Sequence, residues 1–571
     1  MTPDFWLESN LAALARRDPA LAQRLCWAVD DSHVTRDDRG QLQLRVHQSW
    51  LPLDLSATQM EGALGDDDDD QAVFVFGAGS GDLPARLLGR ATRGPVTVWD
   101  RDPFMLRLTL SRADWSAELS SGRLVLALGC DLWEQLGRAD RRVVLHPILS
   151  QIYRNERALL TEAPPRRALI CAGGLFVDDL ADGLRGRGHA VFTLDTARLS
   201  VEELTLTVRV TRPVLVAAIN HTEGLAEFCE AEGVPLLCWE VDPALQRLSN
   251  VTAPPVRSRI FTYRRAHVSD FARAGFPAVT FLPLATNPAR RMPVSLPPDE
   301  ISRFMVPVAF VGASMVDRIA SLRADFARAF VAFGGGGADA ALRVLDELLT
   351  HQRADMDHYL IPALLDQLAP GLRERGKRPG AFDAEQMAGE LAAGEKRLAL
   401  IGALARGLAA ESGSDGAPAD DQAQVHVWGD RGWQAAAAGV KVRGVAGHFV
   451  ELNKIYGSAR INLDIGRLYQ MDVITMRVFD VLACGGFLLT ERSPELSELF
   501  EPGSDLEVFT GADELIDKAR YYLAHPELAA RIAAQGRATV LAKHTVDLRL
   551  ARMLEALPAP AAPTAASAAS G

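Results

Sequence analysis

Residues 472 to 503 read DVITMRVFDVLACGGFLLTERSPELSELFEPG, and this stretch decides the fold class. Met476, Val478, Phe479, Val481 and Leu482 recur at helical spacing, so the segment opens as an amphipathic helix. A small Ala-Cys-Gly-Gly turn follows, then the apolar run FLLT, then Ser493 with Pro494 placed to start another helix. Helix, tight turn, short apolar strand and helix make one step of a parallel α/β sheet.

Working outward, the same step recurs. VPVAFVGAS (from 306), VHVWG (from 425), KVRG (from 441) and ARINLDI (from 459) read as strands, with helices expected around 513 to 523 and 527 to 542. Between Ser321 and Leu408 the chain becomes Leu/Ala-rich and helical, broken by Gly334 to Gly337, and a polar loop follows at 411 to 421. This is expected to be a helical insertion, about 321–421. An earlier series starts at RALICAGG (167) and runs through AVFTLD, PVLVAAIN, PLLCWEVD, SRIFTYR and AVTFLPLA. A third, earlier still, is VFVF, VTVW, RLVLAL and RRVVLHPI, from residue 73. Residues 5 to 28 form a helical entry segment, and the acidic run Asp66 to Asp70 reads as a solvated loop. Pro164-Pro165 marks one break. The prolines at 288, 293, 297 and 298 mark an interdomain linker, because they remove backbone donors. The expected division is therefore 1–163, 164–295, 296–555 and a low-complexity tail, 556–571. The fold class is α/β: two Rossmann-like domains with a helical insertion, preceded by an extra N-terminal Rossmann-like domain.

The 571 residues carry a net charge of -12, which argues against the broad basic field that binds nucleic acid. The six cysteines (Cys26, Cys130, Cys171, Cys229, Cys238, Cys484) show no metal-ligand spacing and are expected to be reduced, buried thiols. The opening MTPDFWLESNLAALARRD lacks the basic-then-apolar order of a secretory signal. Apolar runs stay well below the ~18 to 20 residues that cross a bilayer. A cytoplasmic protein without a transmembrane segment is expected, with peripheral membrane contact left open.

Chemistry is expected where two Rossmann-like sheets face each other across the linker. Asp472 and Asp480 stand eight apart, one at a helix start and one within the helix. Helix N-termini attract anions and carboxylates accept hydrogen bonds from neighbouring hydroxyls, a combination suited to a nucleotide-sugar. Gly312 and Ser314 in VAFVGASMVDR let backbone approach a ligand, and Arg318 or Arg477 offers a charged fork to a diphosphate. Gly485 and Gly486 join this donor set. In the preceding domain, His221 and Asp242 end strands and are candidate general bases. In the first domain Gly77, Gly79 and Gly81 follow a strand, and Asp100 ends the next one, the generic recipe for a nucleotide or S-adenosylmethionine. Asp100 and Asp102 also satisfy a DxD metal pattern, which occurs often by chance, and no metal site is assigned.

The 472 to 503 stretch resembles the C-terminal domain of spore-maturation CgeB-like glycosyltransferases, of the GT-B superfamily. The similarity extends through ELIDKARYYLAHPELAARIAAQGRATVLAKHTVDLR (514 to 549), LCWEVDP (237 to 243), VTFLPLATNP (279 to 288) and VAFVGASMVDR (308 to 318). It implies that Asp472 contacts the donor sugar and Asp480 the ribose hydroxyls, with Asp in place of Glu shortening the reach. FWLESNLAALARRDPALAQRL, SRADWSAELSSGRL and the Gly77 to Gly81 region resemble the N-terminal part of motility-associated-factor (Maf) flagellin glycosyltransferases. Together these imply a metal-independent transferase with a nucleotide-sugar donor, no further cofactor, and a protein or glycan acceptor such as flagellin or a cell-surface glycan. Two rivals stand beside it: an S-adenosylmethionine-dependent methyltransferase working through the first domain, and a non-catalytic sugar- or protein-binding module.

Overall fold

The computed structural model describes residues 6–26, 31–46, 49–65, 71–89, 94–135, 138, 140–161, 166–196, 199–242, 248–355, 358–373, 383–409, 424–436, 439–447 and 450–557. The acidic run at 66 to 70, the proline pair at 164 and 165, the 411 to 421 loop and all but the first two residues of the tail lie outside them. A small antiparallel sheet comes first: β1 (Val34–Arg36), β2 (Leu42–Val46) and β3 (Ser49–Pro52). It was not expected from the sequence. Next come β4 (Ala72–Phe76), β5 (Val96–Asp100), β6 (Leu124–Leu128) and β7 (Arg141–Leu145), a parallel sheet in the order β6-β5-β4-β7.

Two six-stranded parallel sheets make up the rest. The first contains β8 (Arg167–Cys171), β9 (Ala190–Leu194), β10 (Leu215–Ile219), β11 (Leu236–Glu240), β12 (Ser258–Thr262) and β13 (Val279–Phe281), in the order β13-β12-β11-β10-β8-β9. The second contains β14 (Val308–Val311), β15 (Val425–Trp428), β16 (Val440–Val442), β17 (Ile461–Asp464), β18 (Leu488–Glu491) and β19 (Glu507–Phe509), in the order β16-β15-β14-β17-β18-β19. Val308 pairs with both Val425 and Ile461, so β14 is central and strand order reverses beside it. Such strands are buried on both faces and therefore read as unbroken apolar runs. The α/β class, with two Rossmann-like sheets after an extra one, is what the chain adopts.

The helical insertion leaves after β14 and returns at β15, as Val316–Ala332, Ala338–Ala354, Ile361–Leu368 and Ala384–Ala409. It has its own core, built on Leu322, Phe326, Leu345, Leu348, Ile361 and Leu391. The linker carries the chain from β13 into this second unit, and the last helix, Val546–Glu555, carries it back. Val546 N donates to the Thr286 carbonyl at 2.9 Å, and Arg187 Nη2 donates to Asp547 Oδ2 at 3.0 Å.

The boundary expected at 163/164 cuts through packing. Helix Arg154–Thr161 lies against β9, and Arg154 meets Asp182 at 3.0 Å. One continuous core joins Phe74, Val98 and Leu126 of the first sheet to Leu169, Phe192 and Val216 of the second. Among the described residues no helix is long and apolar enough to cross a membrane. Of the five cysteines described, Cys171, Cys229, Cys238 and Cys484 are buried, whereas Cys26 is exposed, contrary to expectation.

Candidate functional site

Ligands of open α/β sheets bind at the carboxyl ends of strands where strand order reverses. In the last sheet that point lies between β14 and β17. Arg477, one residue into helix Met476–Ala483, spans it: Nη2 donates to the Val311 carbonyl at 2.7 Å and Nη1 to Asp464 Oδ1. Thr475 and Thr490 hydroxyls donate to Asp464 Oδ2, each at 3.3 Å. The side chain of Arg467, three residues past the strand, donates only to the Tyr469 hydroxyl at 3.2 Å among the described residues.

The insertion reaches into the same place. Helix Ala384–Ala409 carries Lys396, which pairs with Glu491 at the end of β18 at 2.5 Å, while Glu491 also accepts from Gly466 N at 2.8 Å. The next residue, Arg397, is only 8% exposed, and Nη1 donates to the Ala313 carbonyl at 3.1 Å. Its Nε has no hydrogen-bond partner, nor has that of Arg477, and no carboxylate pairs with Arg397 among the described residues. Burial first, then the charges of Arg477 and Arg467, pull the Arg397 pKa down to about 10 against the charge of Asp464, which raises it. Asp464 neutralises Arg477, whereas neither Arg397 nor Arg467 has a carboxylate in contact among the described residues, and these two guanidinium groups are the part of the cluster suited to an anion.

Across the cleft, Arg264 follows β12 and donates from Nε to both oxygens of Asp472 at 2.8 Å, and from Nη2 to the Tyr469 carbonyl at 3.1 Å. Asp242, beyond β11, is exposed and held by Asn220, whose Nδ2 donates to Asp242 Oδ2 at 2.9 Å and whose Oδ1 accepts from the Asp242 amide at 3.1 Å. Tyr263 is pushed up to about 12 by burial, with Asp242 and Asp472 also raising it and Arg264 and Arg467 lowering it. These groups share one environment. Phe176, Asn220 and Met315, at φ of 65°, 65° and 62°, follow β8, β10 and β14. Left-handed backbone at non-glycine residues is strained, and here it marks the strand ends that border the cleft.

Other expected site residues are placed differently. His221 is 4% exposed, edge-on to Phe271 and Phe276, so its ring is enclosed in the core beneath the cleft rather than presented to an acceptor. Arg318 is half-exposed and forked onto Glu390 at 3.0 and 3.1 Å, which already neutralises it. Ser314 donates its hydroxyl to Asp430 at 2.5 Å. Gly312 accepts from the Trp433 indole at 2.9 Å, so both residues brace the turn. Gly485 (φ 76°) ends helix Met476–Ala483, donating to the Leu482 carbonyl at 3.0 Å, and a Cβ on Gly486 would collide with the Tyr456 carbonyl. Both glycines serve the turn. Asp472 remains at the cleft, paired with Arg264. Asp480 is 4% exposed and bonded away from it, to the linker.

The first domain's glycine loop is filled. Asp100 is fully buried, accepting from Ala78 N at 2.8 Å, Asp102 N at 3.0 Å and the Tyr153 hydroxyl at 2.8 Å. A Cβ on Gly79 would strike the buried His146 ring, and Gly77 and Gly81 abut Leu149 and Thr109. Asp102 caps Phe104 N at 2.9 Å and meets His33 at 2.5 Å. Both acids are thus engaged by neighbouring protein groups. Reasoning from sequence missed Arg264, Lys396, Arg397, Asp464, Arg467 and Glu491. The available signal was Lys396-Arg397 interrupting an Ala/Leu-rich helix.

Among solved structures, the chain is similar to Anabaena HepE in complex with UDP-glucose (14% identity, 68% of this chain and 100% of that one, TM-score 0.39). It is also similar to a glycosyltransferase from Rickettsia africae (9%, 85% and 97%, 0.32) and a MAf glycosyltransferase from Magnetospirillum magneticum AMB-1 (11%, 50% and 58%, 0.20). Likenesses this distant carry no argument about activity. No curated protein matches the chain. Residues 415–555, which hold β15 to β19, Asp464, Arg467, Asp472 and Arg477, match the family described as glycosyl transferase-like.

Proposed function

We propose that the protein transfers a glycosyl group from a nucleoside-diphosphate sugar to a hydroxyl or amine on a protein or glycan. The observation that supports this most is Arg397, a buried guanidinium with an unpartnered Nε and no carboxylate in contact among the described residues, beside Arg467 and the Arg477–Asp464 pair at the reversal point of the last sheet. The glycosyl transferase-like match over 415–555, which includes Arg467 and Arg477, supports reading the cluster as a donor site. A diphosphate leaving group gains charge as the bond to the sugar's anomeric carbon breaks, and fixed guanidinium donors stabilise that charge.

In this reading the anomeric carbon–oxygen bond of the donor breaks and a bond from that carbon to the acceptor oxygen or nitrogen forms. The acceptor's proton passes to Asp242, and the nucleoside diphosphate leaves. Arg397, Arg467 and Arg477 take the diphosphate, for which the sequence offered Arg318 or Arg477, and Lys396 with Glu491 braces the loop bearing Arg467. Asp472 stands ready for sugar hydroxyls, oriented by Arg264 from the opposite domain. Asp242 takes the base role, since His221 is enclosed. Kinship to the CgeB-like branch, and a flagellin or cell-surface acceptor, belong to the same proposal.

A thermal-shift panel of UDP-, GDP-, dTDP-, ADP- and CMP-sugars with S-adenosylmethionine tests it, because a ligand bound only by the folded state raises apparent stability, by about 2.7 kcal/mol at 100 times its Kd. One nucleoside-diphosphate sugar class should raise the melting temperature. A shift with S-adenosylmethionine alone contradicts the proposal.

A further inference from the structure

The second acid of the D-x7-D pair has been taken up by the joint between domains. Asp480 Oδ2 accepts from Arg291 Nε at 2.9 Å and Oδ1 from the Thr286 hydroxyl at 2.7 Å, with the two ion-pair side chains 6% and 8% exposed. Both partners lie in the outgoing linker. Around them the linker is tied to each domain: Asn287 Nδ2 donates to Asp179 at 2.6 Å, and Asn453 Nδ2 to the Arg290 carbonyl at 2.7 Å. The returning segment joins at the same spot, where Thr286 N donates to the His544 carbonyl at 3.1 Å and Arg549 Nε to the Pro283 carbonyl at 2.9 Å. Asp480 thus ties the outgoing crossing to helix Met476–Ala483 directly and the returning one through Thr286, and Arg477, one turn earlier on that helix, spans the reversal point.

We propose that Asp480 is a positioning residue: it ties the position of the preceding domain to the helix that presents Arg477 to the donor, and it does not itself contact the nucleotide. The role of Arg477 rests on the glycosyl-transfer reading; the coupling of the crossings does not. The resemblance implies ribose contact for this acid, but a carboxylate satisfied on both oxygens and withdrawn from water would have to break a buried ion pair to make it.

Asp480→Asn keeps the shape and a Thr286 acceptor while removing the charge facing Arg291. Thr286→Val removes only the hydroxyl bond and serves if Asp480→Asn folds poorly. Amide hydrogen exchange of the full chain reads the joint directly. It should quicken in both 283–293 and 543–549 in either variant. Calorimetry with UDP, GDP and dTDP should find nucleotide affinity within about twofold of wild type, while kcat for transfer falls about tenfold at unchanged donor KM. Unchanged exchange in either crossing overturns the proposal, as does a loss of nucleotide affinity of about tenfold, the size expected for a lost charged contact. If wild type binds none of the three nucleotides, the donor reading fails, and exchange alone decides the role of Asp480.

Discussion

Asp242 has the simplest test at the scale of single residues. Asn220 holds it from the next strand end by one side-chain bond and two backbone bonds, on Val241 and Asp242, so its orientation does not depend on a ligand. Asp242→Asn keeps that geometry and removes the proton acceptor. Transfer should fall about 10²- to 10⁴-fold, the usual worth of a general base, with nucleotide affinity unchanged in calorimetry. Unaltered turnover would take the base role from Asp242. Asp100 makes a separate prediction. Burial raises it from 3.8 to about 7, against hydrogen bonds that lower it, so the folded state holds its proton more tightly than the unfolded chain. Its contribution to stability is complete below about 4 and is lost as pH rises through about 7. Asp100→Asn should flatten that fall in a pH series of melting curves. A series of equal slope in both proteins would show that Asp100 does not titrate there. Neither role was fully legible in the sequence. Asp242 could be named because it ends a strand, as could His221, but only packing separates an exposed acid from an imidazole shut between Phe271 and Phe276. Arg397 was invisible because its importance comes from being buried with no carboxylate in contact, and partners distant in sequence cannot be counted from the sequence.

Elements were legible where burial imposes a pattern. Strands such as Leu215–Ile219 and Leu236–Glu240 are buried at every position and read as plain apolar runs. Ser49–Pro52 is exposed at all four positions and contains proline, and Glu507–Phe509 spans three residues, so neither left a trace that periodicity can detect. The glycine pair is accounted for by the turn it forms. Gly486 abuts the Tyr456 carbonyl and the Asn462 amide, so a methyl group there meets backbone that cannot rotate away. Gly486→Ala should lower stability by about 1–3 kcal/mol, as overpacking does, detected as a lower midpoint in denaturant titration. Wild-type stability would mean that the turn has room to shift.

On the scale of the whole molecule, the sequence break at Pro164-Pro165 invites a shortened chain, and the packing argues against one. Helix Arg154–Thr161 and the continuous core put the first domain's apolar surface against the second sheet. A chain beginning near Pro165 should therefore expose that face and aggregate, as judged by size-exclusion chromatography. A soluble, monodisperse product would show that the domains are separable where the sequence alone places the boundary. The two facing sheets and the linker were legible at this scale because prolines and strand rhythm are local properties. The return of helix Val546–Glu555 to the preceding domain was not, because it depends on Asp547 meeting Arg187 across most of the chain.

The central claim is that a nucleoside-diphosphate sugar binds on the cationic cluster of the last sheet. Calorimetric titration of wild type and Arg397→Ala with the nucleotide-sugar that most raises the melting temperature tests it directly. Losing a charged hydrogen-bonding partner costs about 1.5–3 kcal/mol, so affinity should fall about 10- to 150-fold in a variant that still melts cooperatively. Equal affinity in the two proteins would contradict the account.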